Sequence, residues 1–279
     1  MLEKLGLGTV QFGQAYGISN RRGQVAAEDV ARILSLAAES GIRLLDTAAN
    51  YGDAEAVLGR RDTRPFRIVT KTIGVRHGVE AVIARARQSA AALKADTLLV
   101  HAASDLAGPD GDALWRALLG LRDDGTFRKI GLSVYVADNP GSLAKRYHPD
   151  VIQLPFSMLD QRLLADGTLA ALNDLGVEIH ARSLFLQGLL FLDALPEKLK
   201  YAAPQLARVK AKIREAGASP LAAALGFVLA RPEIAFGLVG VTSTDELQDI
   251  IAAARAPLPD LDWASFALAD ENLLTPSLW

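Results

Sequence analysis

The sequence predicts an α/β protein, a single-domain (β/α)8 TIM barrel, on three observations. Short apolar runs alternate with amphipathic helical patterns at intervals of about 30–35 residues, the size of one βαβ unit. Eight such runs occur, the number that closes a barrel of this kind. No low-complexity linker divides the 279 residues, a length that suits one α/β barrel.

The first strand is expected at Leu5–Thr9, where Leu5 and Leu7 alternate with glycines. A helix follows at Ala27–Ser40: Val30, Ile33, Leu34 and Ala37 recur at helical spacing, and Gly41 supplies a C-terminal stop. Strands at Arg43–Asp46 and Arg67–Lys71 precede a helix at Val79–Leu93. Thr97–His101 reads as the fourth strand, with a helix at Leu114–Arg122, and Lys129–Ser133 as the fifth. Val151–Leu154 is followed by a helix at Leu163–Leu175, and Glu178–Arg182 is the seventh strand. Helices at Pro220–Ala230 and Thr244–Ala254 flank the eighth, Gly237–Val241. The domain is read as 1–279, with one insertion after the seventh strand at about 184–218. That insertion holds the apolar cluster Leu184–Leu192 and a charged helix around Arg208–Glu215.

Composition excludes several classes of function. A formal net charge of -2, without a basic cluster, argues against nucleic acid and membrane surfaces as partners. The absence of cysteine removes disulfide and thiolate chemistry, and four scattered histidines form no pair at metal-ligand spacing, so no metal is expected. No charged segment followed by an apolar one opens the chain, and the apolar stretch after Pro220 is broken at Arg231, Pro232 and Glu233. A cytoplasmic location is expected. Gly6-Leu7-Gly8 begins like a dinucleotide fingerprint, but Gln11 stands where the third glycine belongs, and no Walker-type phosphate loop occurs.

Chemistry collects at the ends of the apolar runs. Asp46, Lys71 and His101 each end a predicted strand, and Tyr51 lies on the loop after the second. In a barrel, one rim carries all strand ends and the active site. Reducing a carbonyl needs a proton donor beside the oxygen. A free phenol, with pKa ~10, donates poorly near neutral pH unless a cation stabilises the phenolate. Tyr51 is the candidate donor and Lys71 the candidate cation, with Asp46 offsetting its buried charge. His101 offers an N–H to orient the carbonyl oxygen. Each residue taken alone also has a structural reading: an ion pair, a loop anchor, a core imidazole.

Read together, Leu5-Gly-Leu-Gly-Thr-Val-Gln-Phe-Gly13, Leu45-Asp46-Thr47-Ala48 with Asn50-Tyr51-Gly52, Val69-Thr70-Lys71-Thr72 and Leu98-Leu99-Val100-His101 resemble the aldo-keto reductase superfamily. The likeness runs on through Gly131-Leu132-Ser133, Val151-Ile152-Gln153, Ser183 to Gly188 and Gly240 to Leu247, nearly the whole chain. It implies a (β/α)8 barrel, a nicotinamide dinucleotide in an extended pose, and a catalytic group of Asp46, Tyr51, Lys71 and His101. It also implies cofactor contacts at Gly8, Thr9, Ser133, Gln153, Arg182, Ser183, Leu184, Gly188, Val241, Thr242, Ser243, Glu246 and Asp249.

This chain departs from the family pattern in two places. The family holds the carboxamide with a Ser-Asn pair and a Gln; Ser133 and Gln153 persist here, whereas Val134 replaces the Asn. The aromatic that stacks on the nicotinamide is replaced by Arg182, whose positive charge disfavours the cationic oxidised ring, so the reduced cofactor is expected to bind better. The alternative for Arg182 is a salt bridge that points away. The loop Gly240-Val-Thr-Ser-Thr-Asp-Glu-Leu247 carries no basic residue, and Asp245, Glu246 and Asp249 repel a 2'-phosphate. NAD(H) is therefore favoured, with NADP(H) as the alternative. The same acids are also suited to a helix start with Thr244 as N-cap, and Ser183 and Ser243 are candidates for phosphate contact.

The substrate is read as a small aldehyde, ketone or sugar-like carbonyl, with Phe12, Tyr16 and Trp279 as candidates to line its pocket. Ser277-Leu278-Trp279 either folds over the site or ends as a loose terminus. A second class of function stays open. The stretch His180-Ala-Arg-Ser-Leu-Phe-Leu-Gln-Gly-Leu-Leu190 resembles a bacterial subgroup of the family that includes the cell-division regulator KidO. Such a protein binds NAD(H) and acts through a protein partner with little turnover, with Leu184–Leu192 as the candidate surface. A third reading, an aldolase with Lys71 as a Schiff base, needs a lysine without a carboxylate partner.

Overall fold

A computed structural model describes residues 1–279, apart from the side chain of Ser277. Eight parallel strands close into a barrel in chain order: β1 Leu5–Gly8, β2 Leu44–Asp46, β3 Arg67–Lys71, β4 Thr97–Val100, β5 Lys129–Ser133, β6 Val151–Pro155, β7 Glu178–Arg182 and β8 Ile234–Gly240. Helices, among them Ala27–Glu39, Val79–Leu93, Gly111–Asp123, Pro220–Leu229 and Thr244–Arg255, surround them. The (β/α)8 expectation holds.

The pleat decides which side chains see the helices and which see the barrel axis, because successive strand residues point to opposite faces. Leu45, Ile68, Leu98, Ile130 and Ile152 face outward and merge with the helices in one large core. Leu44, Val69, Leu99, Val151 and Leu238 form a separate cluster that fills the barrel interior. Gly131 belongs to this inner level, where a Cβ would lie 2.1 Å from the Val151 carbonyl oxygen and 2.8 Å from Leu99 Cδ2. Two residues further along the same faces come Asp46, Lys71, His101, Ser133 and Gln153. Two residues back come Arg67, Thr97 and Lys129. The barrel thus has an apolar middle layer, a charged floor and a polar top.

The floor is organised by Glu178, which accepts from Arg67 Nη2 at 3.1 Å and from Lys129, and lies 2.8 Å from His180 Nε2. Burial opposes ionisation of Glu178, but His180, Lys129 and Arg67 outweigh it and hold the group below the usual carboxylate range.

Several boundaries differ from the sequence reading. β8 starts at Ile234 rather than Gly237, because Ile234 pairs with Ile179 across a register shift at Ile179/His180. The helix expected at Leu163–Leu175 is two pieces, Arg162–Ala165 and Thr168–Asp174, separated at Gly167 with φ +79°. Short helices at Ala54–Gly59 and Pro140–Tyr147 were not foreseen, being too short for a periodic signal. The helix N-cap after β8 is Ser243, whose hydroxyl accepts from the Glu246 N–H, not Thr244. Among the described residues no helix is long and apolar enough to cross a membrane.

Candidate active site

The site is built from residues that the strands deliver to one rim. Lys71, at the end of β3, is 1% exposed and has three partners for its three ammonium protons. It lies 2.8 and 2.7 Å from the two Asp46 oxygens, 2.9 Å from the Thr47 carbonyl and 3.2 Å from Tyr51 Oη. Burial alone would favour the neutral amine, but the Asp46 charge and the Tyr51 oxygen outweigh it and raise the Lys71 pKa above its ordinary value. The ammonium is therefore fixed, and its third proton is aimed at the tyrosine oxygen. The Schiff-base reading required a lysine without a carboxylate partner, and the ion pair removes it.

Tyr51 owes its place to two glycines. A Cβ on Gly13 would lie 1.8 Å from the Tyr51 carbonyl oxygen, and one on Gly52, at φ +55°, 2.2 Å from the Gly13 oxygen. The two segments can touch only because both residues lack a side chain. His101 stands just past β4, its ring edge-on to Tyr51 with centroids 5.8 Å apart. Its backbone N–H donates to Thr72 Oγ1, and Nδ1 is buried without a partner. Burial, then the Lys71 charge, pushes the imidazole down to about 4, so it is neutral at pH 7. The four candidate catalytic residues thus meet at one place.

A cavity of about 640 Å³ opens onto Asp46, Tyr51 and His101 and runs to the loop after β8. Of the expected cofactor residues, Gly8, Ser133, Gln153, Arg182, Ser183, Leu184, Gly188, Thr242, Glu246 and Asp249 line it. Thr9, Val241 and Ser243 are buried behind this surface. Thr9 Oγ1 donates to the Asp46 carbonyl and Ser243 caps its helix, so both shape the wall from within. Gln153 Nε2 donates one proton to Asp46 Oδ1 at 2.7 Å, which leaves its carbonyl oxygen and its second N–H for a carboxamide.

Arg182 makes no salt bridge among the described residues. Its Nη2 donates to the Val134 carbonyl at 2.9 Å, and its guanidinium lies 4.3 Å from the centroid of the Tyr135 ring. The segment after β7 folds across the cavity. Ser183, Leu186 and Gln187 have φ of 60°, 47° and 54°, unusual for residues with side chains. Ser19 donates to the Gln187 carbonyl at 3.1 Å, and a Cβ on Gly188 would strike the Ser19 hydroxyl. Leu184, Leu186, Leu189 and Leu190 are buried, so this stretch presents no continuous apolar face. At the far end Glu246 accepts from the Thr242 N–H at 2.6 Å and from Thr242 Oγ1 at 2.9 Å.

Tyr16 lines the cavity as expected, but Phe12 is fully buried behind it. Trp279 donates to the Asn272 carbonyl at 2.8 Å and lies outside the cavity. Residues that sequence reasoning missed include Gln11, Gln14, Asn50, Tyr135 and Phe185. Tyr135 was readable, since it follows Ser133 by two and continues the inward face. Gln11 registered only as a missing glycine, yet its Oε1 is buried without a hydrogen-bond partner beside the backbone of Gly240. An orphaned acceptor and an unpaired guanidinium in one elongated cavity fit a polar ligand such as a dinucleotide.

The chain belongs to the Aldo/keto reductase family, whose profile matches residues 4–271. Membership brings carbonyl oxidoreduction with a nicotinamide cofactor. Among curated proteins no sequence matches the chain. Among solved structures it is similar to an aldo-keto reductase from Bacillus halodurans in its holo form, with 22% identity, TM-score 0.75, and 99% of this chain and 93% of that one covered. It is also similar to an aldose reductase from Giardia lamblia, with 18% identity, TM-score 0.69, and 95% and 92% covered. At such identities the likeness shows the fold.

Proposed function

We propose that the protein reduces small aldehydes or ketones with NADH, Tyr51 acting as general acid. The reading is carried by the 3.2 Å contact from Lys71 Nζ to Tyr51 Oη. Tyr51 gives its proton to the carbonyl oxygen, and the phenolate left behind is stabilised by the ammonium that Asp46 keeps charged. The neutral His101 ring beside Tyr51 orients the same oxygen. When bound, the nicotinamide supplies the hydride that reaches the carbonyl carbon. In the oxidative direction the phenolate takes the alcohol proton.

The residues toward which the cofactor would lie support this reading. The Gln11 and Gln153 oxygens accept, and the Ser133 and Ser183 hydroxyls, with the N-terminus of the helix that Ser243 caps, offer donors. Glu246 and Asp249 suit ribose hydroxyls and oppose a 2'-phosphate, which favours NADH over NADPH. The test is aldehyde-dependent oxidation of NADH. Turnover in the wild type, abolished by Tyr51→Phe with NADH affinity retained, supports the enzyme. Tight NADH binding without turnover of any short aldehyde overturns it in favour of a binding role.

A further inference from the structure

Charges at the catalytic end of the cavity do not cancel. Lys71 is matched by Asp46, and His101 is neutral at pH 7. Arg182 is left over. Its side chain starts at the end of β7 and passes β6 to reach the loop after β5, where it meets the Val134 carbonyl and the Tyr135 ring. Those contacts hold the guanidinium without neutralising it. Of its five N–H bonds one goes to Val134 and a second makes a long 3.4 Å contact with Ser183 Oγ, so the others are uncommitted. The remaining acids of the cavity, Glu246 and Asp249, stand beyond β8, on the far side of the barrel mouth from the β5 loop.

A half-buried cation with free, coplanar donors is suited to a carboxylate, which it can bind through two parallel hydrogen bonds. Closing a neutral molecule over it would leave those donors without water or partner, at a cost in affinity. Tyr16 and Tyr135 line the same end of the cavity, and their hydroxyls can add donors to the oxyanion. Burial, then the neighbouring Tyr51 and Tyr135, raises the Tyr16 pKa, so its phenol stays protonated.

We propose that Arg182 is a substrate subsite, and that the protein selects carbonyl compounds carrying a carboxylate a short chain away from the reacting carbon. The proposal rests on the reductase reading above. In the reaction an oxo acid becomes a hydroxy acid: the carbon gains hydride from NADH, which is oxidised, and the oxygen gains the Tyr51 proton. The carboxylate stays bound to Arg182 throughout.

The test compares 4-oxobutanoate with its methyl ester, which has the same reach and no charge, at saturating NADH. The wild type is expected to favour the acid by about tenfold or more in kcat/KM, chiefly through KM. Arg182→Met should bring the acid/ester ratio of kcat/KM close to one, a ratio taken within each protein so that any change in NADH binding cancels, and Arg182→Lys should keep part of the preference. Independently of turnover, butanoate and butanamide are titrated into the NADH-loaded protein. Butanoate is expected to bind, more weakly at high salt, and to lose binding in R182M, whereas the amide does not bind. Equal use of acid and ester, an acid preference that survives R182M, or equal binding of butanoate and butanamide would overturn the proposal. Butanoate binding through Arg182 without reduction of either aldehyde would instead uphold the subsite and remove the reductase reading.

Discussion

The Lys71 ammonium lies 3.2 Å from the Tyr51 hydroxyl and 4.9 Å from the centroid of its ring. One cation therefore lies in hydrogen-bond range of the oxygen that would ionise and within cation–π range of its ring. Asp46 and the Thr47 carbonyl occupy the ammonium's other two directions, so the charge cannot rotate away.

Tyr51→Phe should lower kcat by ~10²–10⁴, the usual worth of a placed general acid, while the affinity for NADH changes little. Steady-state oxidation of NADH, paired with a fluorescence titration of the cofactor, separates the two effects. A variant retaining more than about a tenth of wild-type kcat would argue for a different donor.

Removing Lys71 alone strands the Asp46 carboxylate, which is 5% exposed. Lys71→Met should cost roughly 3–5 kcal/mol of stability in a denaturant melt, as for other broken buried pairs. Asp46→Asn added to it should recover part of that loss, since the uncompensated charge is gone. Additive losses in the double variant would contradict this account.

His101 gives the pH prediction. Its folded pKa, about 4, is depressed from an unfolded value near 6.5. Between those values the unfolded chain binds the extra proton, so this residue's contribution to stability falls as pH drops through that window and levels off below about 4. His101→Asn should flatten that limb of a pH–stability curve. The pH–rate profile should show no inflection near pH 6.5 that vanishes in the same variant.

Cofactor choice separates into two measurements. NADPH should bind roughly tenfold more weakly than NADH at moderate salt, a difference of about 1.4 kcal/mol, and Asp249→Asn should narrow the gap. NADH should also bind more tightly than NAD+, because the unpaired Arg182 cation repels a pyridinium. Arg182→Gln should reduce that ratio. Calorimetric affinities for all three nucleotides check both statements.

How much of this was legible in the sequence follows from the strand period. An apolar run ending in a polar residue marks a strand end, so Asp46 and Lys71 could be placed before any coordinates, whereas Ser133 and Gln153 were placed through the family resemblance. Gly167 hid a helix break because a lone glycine is tolerated in a helical pattern. The commitment of the Gln153 amide to Asp46 was not visible, because it joins residues 107 positions apart. Arg182 was singled out, but its lean toward Val134 and Tyr135 depends on side-chain direction, which spacing does not encode. Thr9, Val241 and Ser243 adjoin lining residues yet face the wall, the ordinary result of a backbone that alternates.

The stacked levels of the barrel interior have a further consequence for how such a protein can change. Floor, filling and chemistry occupy alternate positions on the same short strands, so inserting or deleting one residue in β2 to β7 would turn a reactive side chain toward the helices and drive an apolar one into the mouth. New activities on this scaffold are therefore reached by exchanging side chains at strand ends or by lengthening loops. The strands themselves are closed to indels.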